Sequence, residues 1–126
     1  WDHEIRLEEN IHSPIHCFDQ KAGSCRDLSW MLMNMLRSKG FASRFVSGYS
    51  YVPGMTEGHE LHAWLEVLLP GAGWLAMDPT LGLLVTEQHI PIAASYEPIR
   101  TLPVQGSYHG DAHSKMETRV VISEID

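Results

Sequence analysis

Residues 24–40 constrain the fold of this chain more than any other segment, because they carry every signal of one amphipathic helix. Ser24 is a typical N-cap residue, and Asp27, three positions later, can complete a capping box. Lys39 lies in the last turn, where a cation suits the helix dipole, and Gly40 is a typical residue after a helix end. The apolar residues repeat with helical period: Leu28, Met31, Leu32, Met35 and Leu36. We therefore predict a helix over residues 25–39.

Strand patterns follow this helix. Residues 41–52 are rich in aromatic and β-branched residues and end at a Pro-Gly turn. Residues 61–69 alternate, with apolar side chains at every odd position, and residues 74–78 form a second strand after a glycine-rich turn. One main helix followed by an antiparallel β-sheet predicts an α+β fold, with the helix packed on the sheet.

The rest of the chain gives weaker patterns. Residues 13–23 are predicted to be a loop because serine, proline and glycine interrupt them, and residues 86–115 look irregular. Residues 118–125 predict a last strand, whereas residues 1–12 fit either a helix or a strand. Residues 1–126 are expected to form one domain, since no repeat or linker divides them. The start at Trp1 instead of Met leads us to expect a fragment of a longer chain.

Composition excludes several classes of protein. The chain has 9 Lys and Arg against 16 Asp and Glu, a net charge of −7, which argues against a nucleic-acid partner. No apolar run reaches the ~18 residues that a membrane span needs. Two cysteines cannot make a disulfide-rich scaffold, whereas eight histidines leave metal binding or acid–base chemistry open. The compartment stays open, with the cytoplasm slightly favoured.

Three residues fit a nucleophile, a base and a carboxylate that orients the base. Cys25 begins the predicted helix, where free backbone N–H groups and the helix dipole favour a thiolate. His62 lies within one predicted strand, and Asp78 ends the next. Each also has an ordinary interpretation: a structural thiol, a packed histidine, or an aspartate that forms a turn before proline.

The hairpin between residues 61–69 and 74–78 tests that grouping. An even loop would place Asp78 on the face opposite to His62, whereas an odd loop of three or five residues places both on one face. In the second case Asp78 lies near Trp64 or Glu66 and diagonal to His62. We therefore predict an odd loop or a bulge at this corner.

Several blocks of sequence resemble the core of the bacterial transglutaminase-like family. They are Gly-Ser-Cys-Arg-Asp at 23–27, residues 36–49, His-Ala-Trp-Leu-Glu-Val at 62–67, Asp-Pro-Thr at 78–80 and Pro-Val-Gln-Gly at 103–106. They occur in the family's order and span roughly residues 22–122. Two departures stand out: residues 93–97 read Ala-Ala-Ser-Tyr-Glu where many members have Gly-Arg-Asp-Tyr, and residues 1–126 hold no counterpart of the N-terminal β-sandwich region that such members often carry.

The resemblance implies a papain-like core, the fold shared by transglutaminases, peptide N-glycanases and proposed bacterial cysteine proteases. It implies that Cys25 is the nucleophile, His62 the base and Asp78 its orienter. Attack on a peptide or side-chain amide would give a thioester, released to water or to an amine. No cofactor and no calcium site are expected. The alternative is a catalytically silent binding or scaffold module with the same fold.

Other residues are secondary candidates. The backbone N–H of Cys25 and the side chain of Gln20 are candidate oxyanion donors. Trp64 and Trp74 are candidates for the substrate cleft, although packing within the sheet explains them equally well. Glu66 shares a face with His62 and is a candidate second partner for it.

We predict no metal site. His59 and His62 are one residue too close for the helical zinc-protease pattern, and His109 with His113 gives no complete ligand set. Cys17 lies beside a histidine but has no partner motif, so we interpret it as a bystander thiol.

Overall fold

The computed structural model describes residues 1–6, 10–55 and 59–125. Two helices and a mainly antiparallel arrangement of strands follow one another along the chain. In order they are β1 (Asp2–His3), α1 (Pro14–Gln20), β2 (Ala22–Gly23), α2 (Cys25–Ser38), β3 (Ser43–Ser50), β4 (Leu61–Leu69), β5 (Gly73–Asp78), β6 (Leu83–Leu84), β7 (His89–Ser95) and a 3₁₀ turn (Pro98–Thr101). The main sheet has five antiparallel strands in the order β6-β5-β4-β3-β7. Within the described residues, no helix is long and apolar enough to cross a membrane.

Helix α2 confirms the predicted element almost residue for residue. Ser24 caps it by accepting the Asp27 N–H, and the Asp27 side chain accepts the Ser24 N–H in return, so the capping box is complete. The apolar stripe is only partly confirmed, because Met35 is exposed while Met33, which falls off the stripe, is fully buried. The reason is that two neighbours cover the helix: α1 covers the side with Leu28, and the sheet covers the side with Met33.

Strands β3, β4 and β5 confirm the predicted sheet and its register. Leu69 pairs with Gly73, so the hairpin loop holds three residues, 70–72. The same register pairs Leu65 with Met77, which places Asp78 across from Trp64 and diagonal to His62. The prediction of an odd loop is therefore confirmed, and His62 and Asp78 share one face of the sheet.

Three parts of the sequence interpretation are wrong. Residues 14–20, predicted as a loop, form α1, because Ser13 acts as an N-cap and Pro14 as a first helical residue instead of interrupting the chain. The stretch 86–115, predicted to be irregular, contains β7 and the 3₁₀ turn. Residues 118–125, predicted as a strand, have no regular secondary structure. Residues 1–12, left unassigned, contribute β1, which pairs in parallel with β2.

Gly48 lets strand β7 lie close to β3. A Cβ atom at this position would lie 2.1 Å from the Ile90 carbonyl oxygen and 2.8 Å from the Trp64 ring. The register between β3 and β7 also shifts at Ser47 and Gly48, as a bulge does. No side chain larger than hydrogen fits without moving β7.

We expect the Gly48→Ala variant to lose about 1–3 kcal/mol of unfolding free energy, the usual cost of overpacking. Urea denaturation measures it. Gly106→Ala is the matched control, because a Cβ there meets nothing within 4 Å. Equal stabilities of the two variants would contradict the close approach.

Candidate active site

The Cys25 thiol is held at the first turn of α2, against strand β4. Cys25 is a free, partly exposed cysteine that packs beside the core cluster containing Ala63. Ser29, one turn later, donates a hydrogen bond from its hydroxyl to the Ala63 carbonyl at 3.4 Å. This bond ties the start of α2 to the residue next to His62.

His62 connects the thiol to the carboxylate. Its side chain is 15% exposed, and its Nε2 lies 2.7 Å from Oδ2 of Asp78, which leaves Nδ1 for the Cys25 thiol. Burial disfavours the charged ring, but hydrogen bonds with Asp78 and Cys25 outweigh burial and raise the pKa of His62 to about 9. At neutral pH the ring therefore carries a positive charge beside the sulfur, the electrostatic setting that suits a thiolate.

Asp78 is fully buried at the end of β5. Its Oδ2 accepts from His62, and its Oδ1 accepts the backbone N–H of Thr80 at 3.1 Å. Burial alone would raise the pKa of Asp78, but hydrogen bonds from His62 and His89 keep it below its usual value. The group is therefore a buried carboxylate held in its charged form by its neighbours.

Sequence reasoning missed His89, which also contacts Asp78. Its Nε2 lies 2.9 Å from Oδ2 of Asp78, the same oxygen that His62 contacts. His89 begins β7, in the stretch predicted to be irregular, so no strand pattern pointed to it. The signal available in the sequence is its position at the end of a short turn after β6, which alone does not distinguish it from a surface histidine.

The structure brings Cys25, His62 and Asp78 together and gives the two tryptophans different surroundings. Trp64 is only 1% exposed, so it packs inside the sheet and does not line an open cleft. Trp74 is 43% exposed but lies four residues from Asp78 along β5, and the Arg44 guanidinium covers its ring at 4.1 Å. Trp64 is therefore excluded as a cleft residue by burial, and Trp74 stays a candidate distant from the triad.

Glu66 and Gln20 have different outcomes. Glu66 forms an ion pair with Arg44 across the β3–β4 pair at 2.6 Å, so it is not a second partner of His62. The sequence placed Glu66 on the correct face, but the nearer cation on β3 binds it. Gln20 is exposed at the C-terminal end of α1, five residues before Cys25, and its role as an oxyanion donor stays a prediction.

Two groups of side chains among the described residues could hold a metal ion: His12, Cys17 and Asp27, and His62, Asp78 and His89. Hydrogen bonds disfavour a metal at both. The Thr86 N–H points at Nδ1 of His89, so in the neutral ring Nε2 carries the hydrogen and has no lone pair for a metal. Both oxygens of Asp27 already accept hydrogen bonds from Arg6 and from neighbouring N–H and O–H groups.

The raised pKa of His62 predicts a pH-dependent stability. The folded chain holds a proton on His62 up to about pH 9, whereas the unfolded chain releases it near pH ~6.5. This contribution is therefore complete below pH ~6.5 and is lost as the pH rises toward 9, with a total of at most about 3 kcal/mol. Urea denaturation of the wild type and of His62→Gln should show a stability difference that shrinks across this window. Parallel stability curves would contradict the assignment.

A cysteine at a helix N-terminus facing a His–Asp pair on neighbouring antiparallel strands defines the class of papain-like folds. More particularly, the chain belongs to the transglutaminase-like superfamily, whose sequence pattern matches residues 3–79. A crystal structure of a proposed cysteine protease from Cytophaga hutchinsonii has a similar fold, with a TM-score of 0.65 and 20% sequence identity. That likeness covers 78% of this chain and 32% of the other.

Sequence relatives occur in several bacteria. The chain is 30% identical to the uncharacterized protein ML0607 of Mycobacterium leprae over 121 residues, covering 91% of this chain and 43% of the relative. It is 34% identical over 70 residues to a protein-glutamine gamma-glutamyltransferase of Pseudomonas aeruginosa, covering 50% of this chain and 10% of the relative. The chain therefore spans less than half the length of these relatives.

Proposed function

We propose that this domain is a thiol enzyme that attacks a carboxamide through Cys25 and forms a thioester. The observation that carries the proposal is the continuous row of contacts from the Cys25 thiol through His62 to the buried Asp78 carboxylate. A nucleophile, a base and a group that orients the base are the three parts that this reaction needs.

In the first step, the Cys25 sulfur attacks the carbonyl carbon of a peptide or side-chain amide. His62 donates its Nδ1 proton to the nitrogen that leaves, so the C–N bond breaks, ammonia or an amine departs and a thioester forms. In the second step, His62 removes a proton from water or from an acceptor amine, which attacks the thioester and releases the thiol. The product is an acid in the first case and a new amide in the second.

The developing oxyanion needs hydrogen-bond donors near Cys25. The backbone N–H of Cys25 lies in the first turn of α2, where no carbonyl of the helix can accept it, and is the first candidate. The Gln20 side chain is the second. The name of the Pseudomonas relative supports glutamine as the amide, and that of the Cytophaga structure supports a peptide bond.

Incubating the protein with a glutamine-containing peptide, with and without a primary amine, tests the proposal. Ammonia release without the amine indicates an amidase, and incorporation of the amine indicates a transglutaminase. Either activity should disappear in Cys25→Ala and persist in Cys17→Ala, which removes the other, fully buried thiol. A peptide cut at its backbone indicates a protease.

Iodoacetamide gives a readout that needs no substrate. We expect Cys25 to be alkylated faster than Cys17 at neutral pH, and the rate to fall in His62→Gln. Burial, aided by the charge of Asp27, raises the pKa of Cys17, so this thiol serves as an internal reference. Failure of both the alkylation and the peptide assays would favour a silent binding module.

A further inference from the structure

We propose that His89 is a positioning residue that fixes the Asp78 carboxylate, so that the row Cys25–His62–Asp78 ends on a fourth side chain. The inference deepens the proposed function and depends on it for its catalytic meaning. His89 is buried, with a side chain 3% exposed, and lies at the start of β7 across from Ser50. A buried imidazole that contacts the carboxylate already paired with His62 calls for an explanation beyond packing.

The direction of the hydrogen bond between His89 and Asp78 follows from the contact that the second ring nitrogen, Nδ1, makes with Thr86. The backbone N–H of Thr86 lies 3.2 Å from Nδ1 of His89, and a backbone N–H can only donate. Nδ1 therefore presents a lone pair, and in the neutral ring the hydrogen lies on Nε2. His89 consequently donates from Nε2 to Oδ2 of Asp78, over 2.9 Å.

The turn before β7 holds the ring in this orientation. The His89 N–H donates back to the Thr86 carbonyl at 3.1 Å, and the Gln88 N–H donates to the Thr86 hydroxyl at 3.2 Å. The ring also packs edge-on against Trp64, with centroids 5.1 Å apart and planes at 80°. Gly48 allows β7 to lie close enough for these contacts, because a Cβ there would meet the Ile90 carbonyl.

These contacts give both oxygens of the Asp78 carboxylate a hydrogen-bond donor. Oδ1 accepts from the backbone N–H of Thr80, while Oδ2 accepts from both His62 and His89. Without His89, a buried oxygen would lose one of its two donors, and the carboxylate could turn away from His62. The expected consequence is a misplaced His62 ring and slower chemistry at Cys25, an effect that passes through the hydrogen bond to Asp78.

Cys25 alkylation by iodoacetamide at pH 7 tests this positioning role in three variants. His89→Phe keeps a ring but removes the donor, and we expect it to slow alkylation by on the order of tenfold to a hundredfold, as small misplacements of reacting groups do. His89→Gln can place an amide N–H near the original Nε2 and should recover most of that loss. His59→Phe is the matched control: His59 is also buried, and no described residue hydrogen-bonds its ring nitrogens.

A double-variant cycle separates positioning from a general structural effect. If His89 acts through Asp78, then adding His89→Phe to Asp78→Asn should slow alkylation no further. Equal rates for His89→Phe and the wild type would overturn the inference. Equal slowing by His89→Phe and His89→Gln, in variants whose near-ultraviolet circular dichroism shows a folded chain, would also overturn it.

Nitrogen NMR of the histidine rings decides the hydrogen-bond direction independently of reactivity. We expect the neutral His89 ring to show hydrogen on Nε2, with Nδ1 bare, and a hydrogen on Nδ1 would overturn the inference. Failure of the proposed function has a different signature: alkylation of Cys25 then has the same rate in the wild type and in His62→Gln. A loss in His62→Gln without one in His89→Phe contradicts the positioning role alone.

Discussion

The Asp78→Asn variant should lower turnover of a glutamine peptide by as much as ~10⁴-fold, the effect of making the carboxylate of a comparable triad neutral. Two histidine nitrogens contact the same Asp78 oxygen, and a neutral amide cannot stabilise a positive charge on His62. Without that charge, burial of the His62 ring is opposed by Cys25 alone, so the pKa of His62 falls below its wild-type value of about 9. Turnover and the rate of Cys25 alkylation at pH 6–8 measure the effect.

Asp19→Asn is the control for this experiment, because it removes the same charge from an exposed position on α1. It should leave both rates within about twofold of the wild type, since exposed charges contribute little. Binding of the peptide should change little in Asp78→Asn, so the loss belongs in kcat and not in KM. An Asp78→Asn enzyme that keeps more than a tenth of its activity would contradict the role of the carboxylate.

Local signals made helix α2 and its cap predictable. Ser24 and Asp27 satisfy each other's backbone N–H groups, an interaction that involves only four consecutive residues and therefore needs no knowledge of the fold. Local patterns also predicted the two strands of the β4–β5 hairpin, whereas its odd loop was inferred only from the grouping of His62 with Asp78. Its register depends on the loop length, and a three-residue loop places His62 and Asp78 on one face whatever surrounds them.

Contacts between distant segments explain what the sequence did not predict. His89 joins the site because β7 pairs with β3, about forty residues earlier in the chain, after a bulge at Gly48. Nothing in residues 86–95 alone indicates that pairing. Met33 and Met35 show the same effect in α2: the helical period gives the spacing of the apolar residues, but the positions of α1 and the sheet decide which methionine is buried.

The N-terminal segment is attached to the start of α2 through Asp27. This fully buried carboxylate accepts five hydrogen bonds at 2.8–2.9 Å, from two nitrogens of Arg6, from the His12 N–H and from the N–H and hydroxyl of Ser24. Burial would raise the pKa of Asp27, but hydrogen bonds from Arg6 and the backbone hold it well below its usual range. The contribution of Asp27 to stability is therefore present above pH ~4 and is lost as the pH falls further.

We expect Asp27→Asn to cost about 3–5 kcal/mol of unfolding free energy at pH 7, the usual effect of removing one partner of a buried ion pair. The NH₂ group of the asparagine would lie against the N–H and O–H groups that now donate to Asp27, and the Arg6 guanidinium, 11% exposed, would lose its anion.

Urea denaturation measures the loss of unfolding free energy, and Glu97→Gln, which breaks an exposed pair with Arg100, is the control. The difference between wild type and Asp27→Asn should shrink below pH ~4, because the unfolded wild-type chain then takes up a proton on Asp27 that the folded chain, with its lowered pKa, still excludes. A loss under 1 kcal/mol, or one independent of pH, would show that Arg6 and the helix cap do not need the charge. Because Cys25 lies between Ser24 and Asp27, the same variant should also slow its alkylation wherever the chain stays folded.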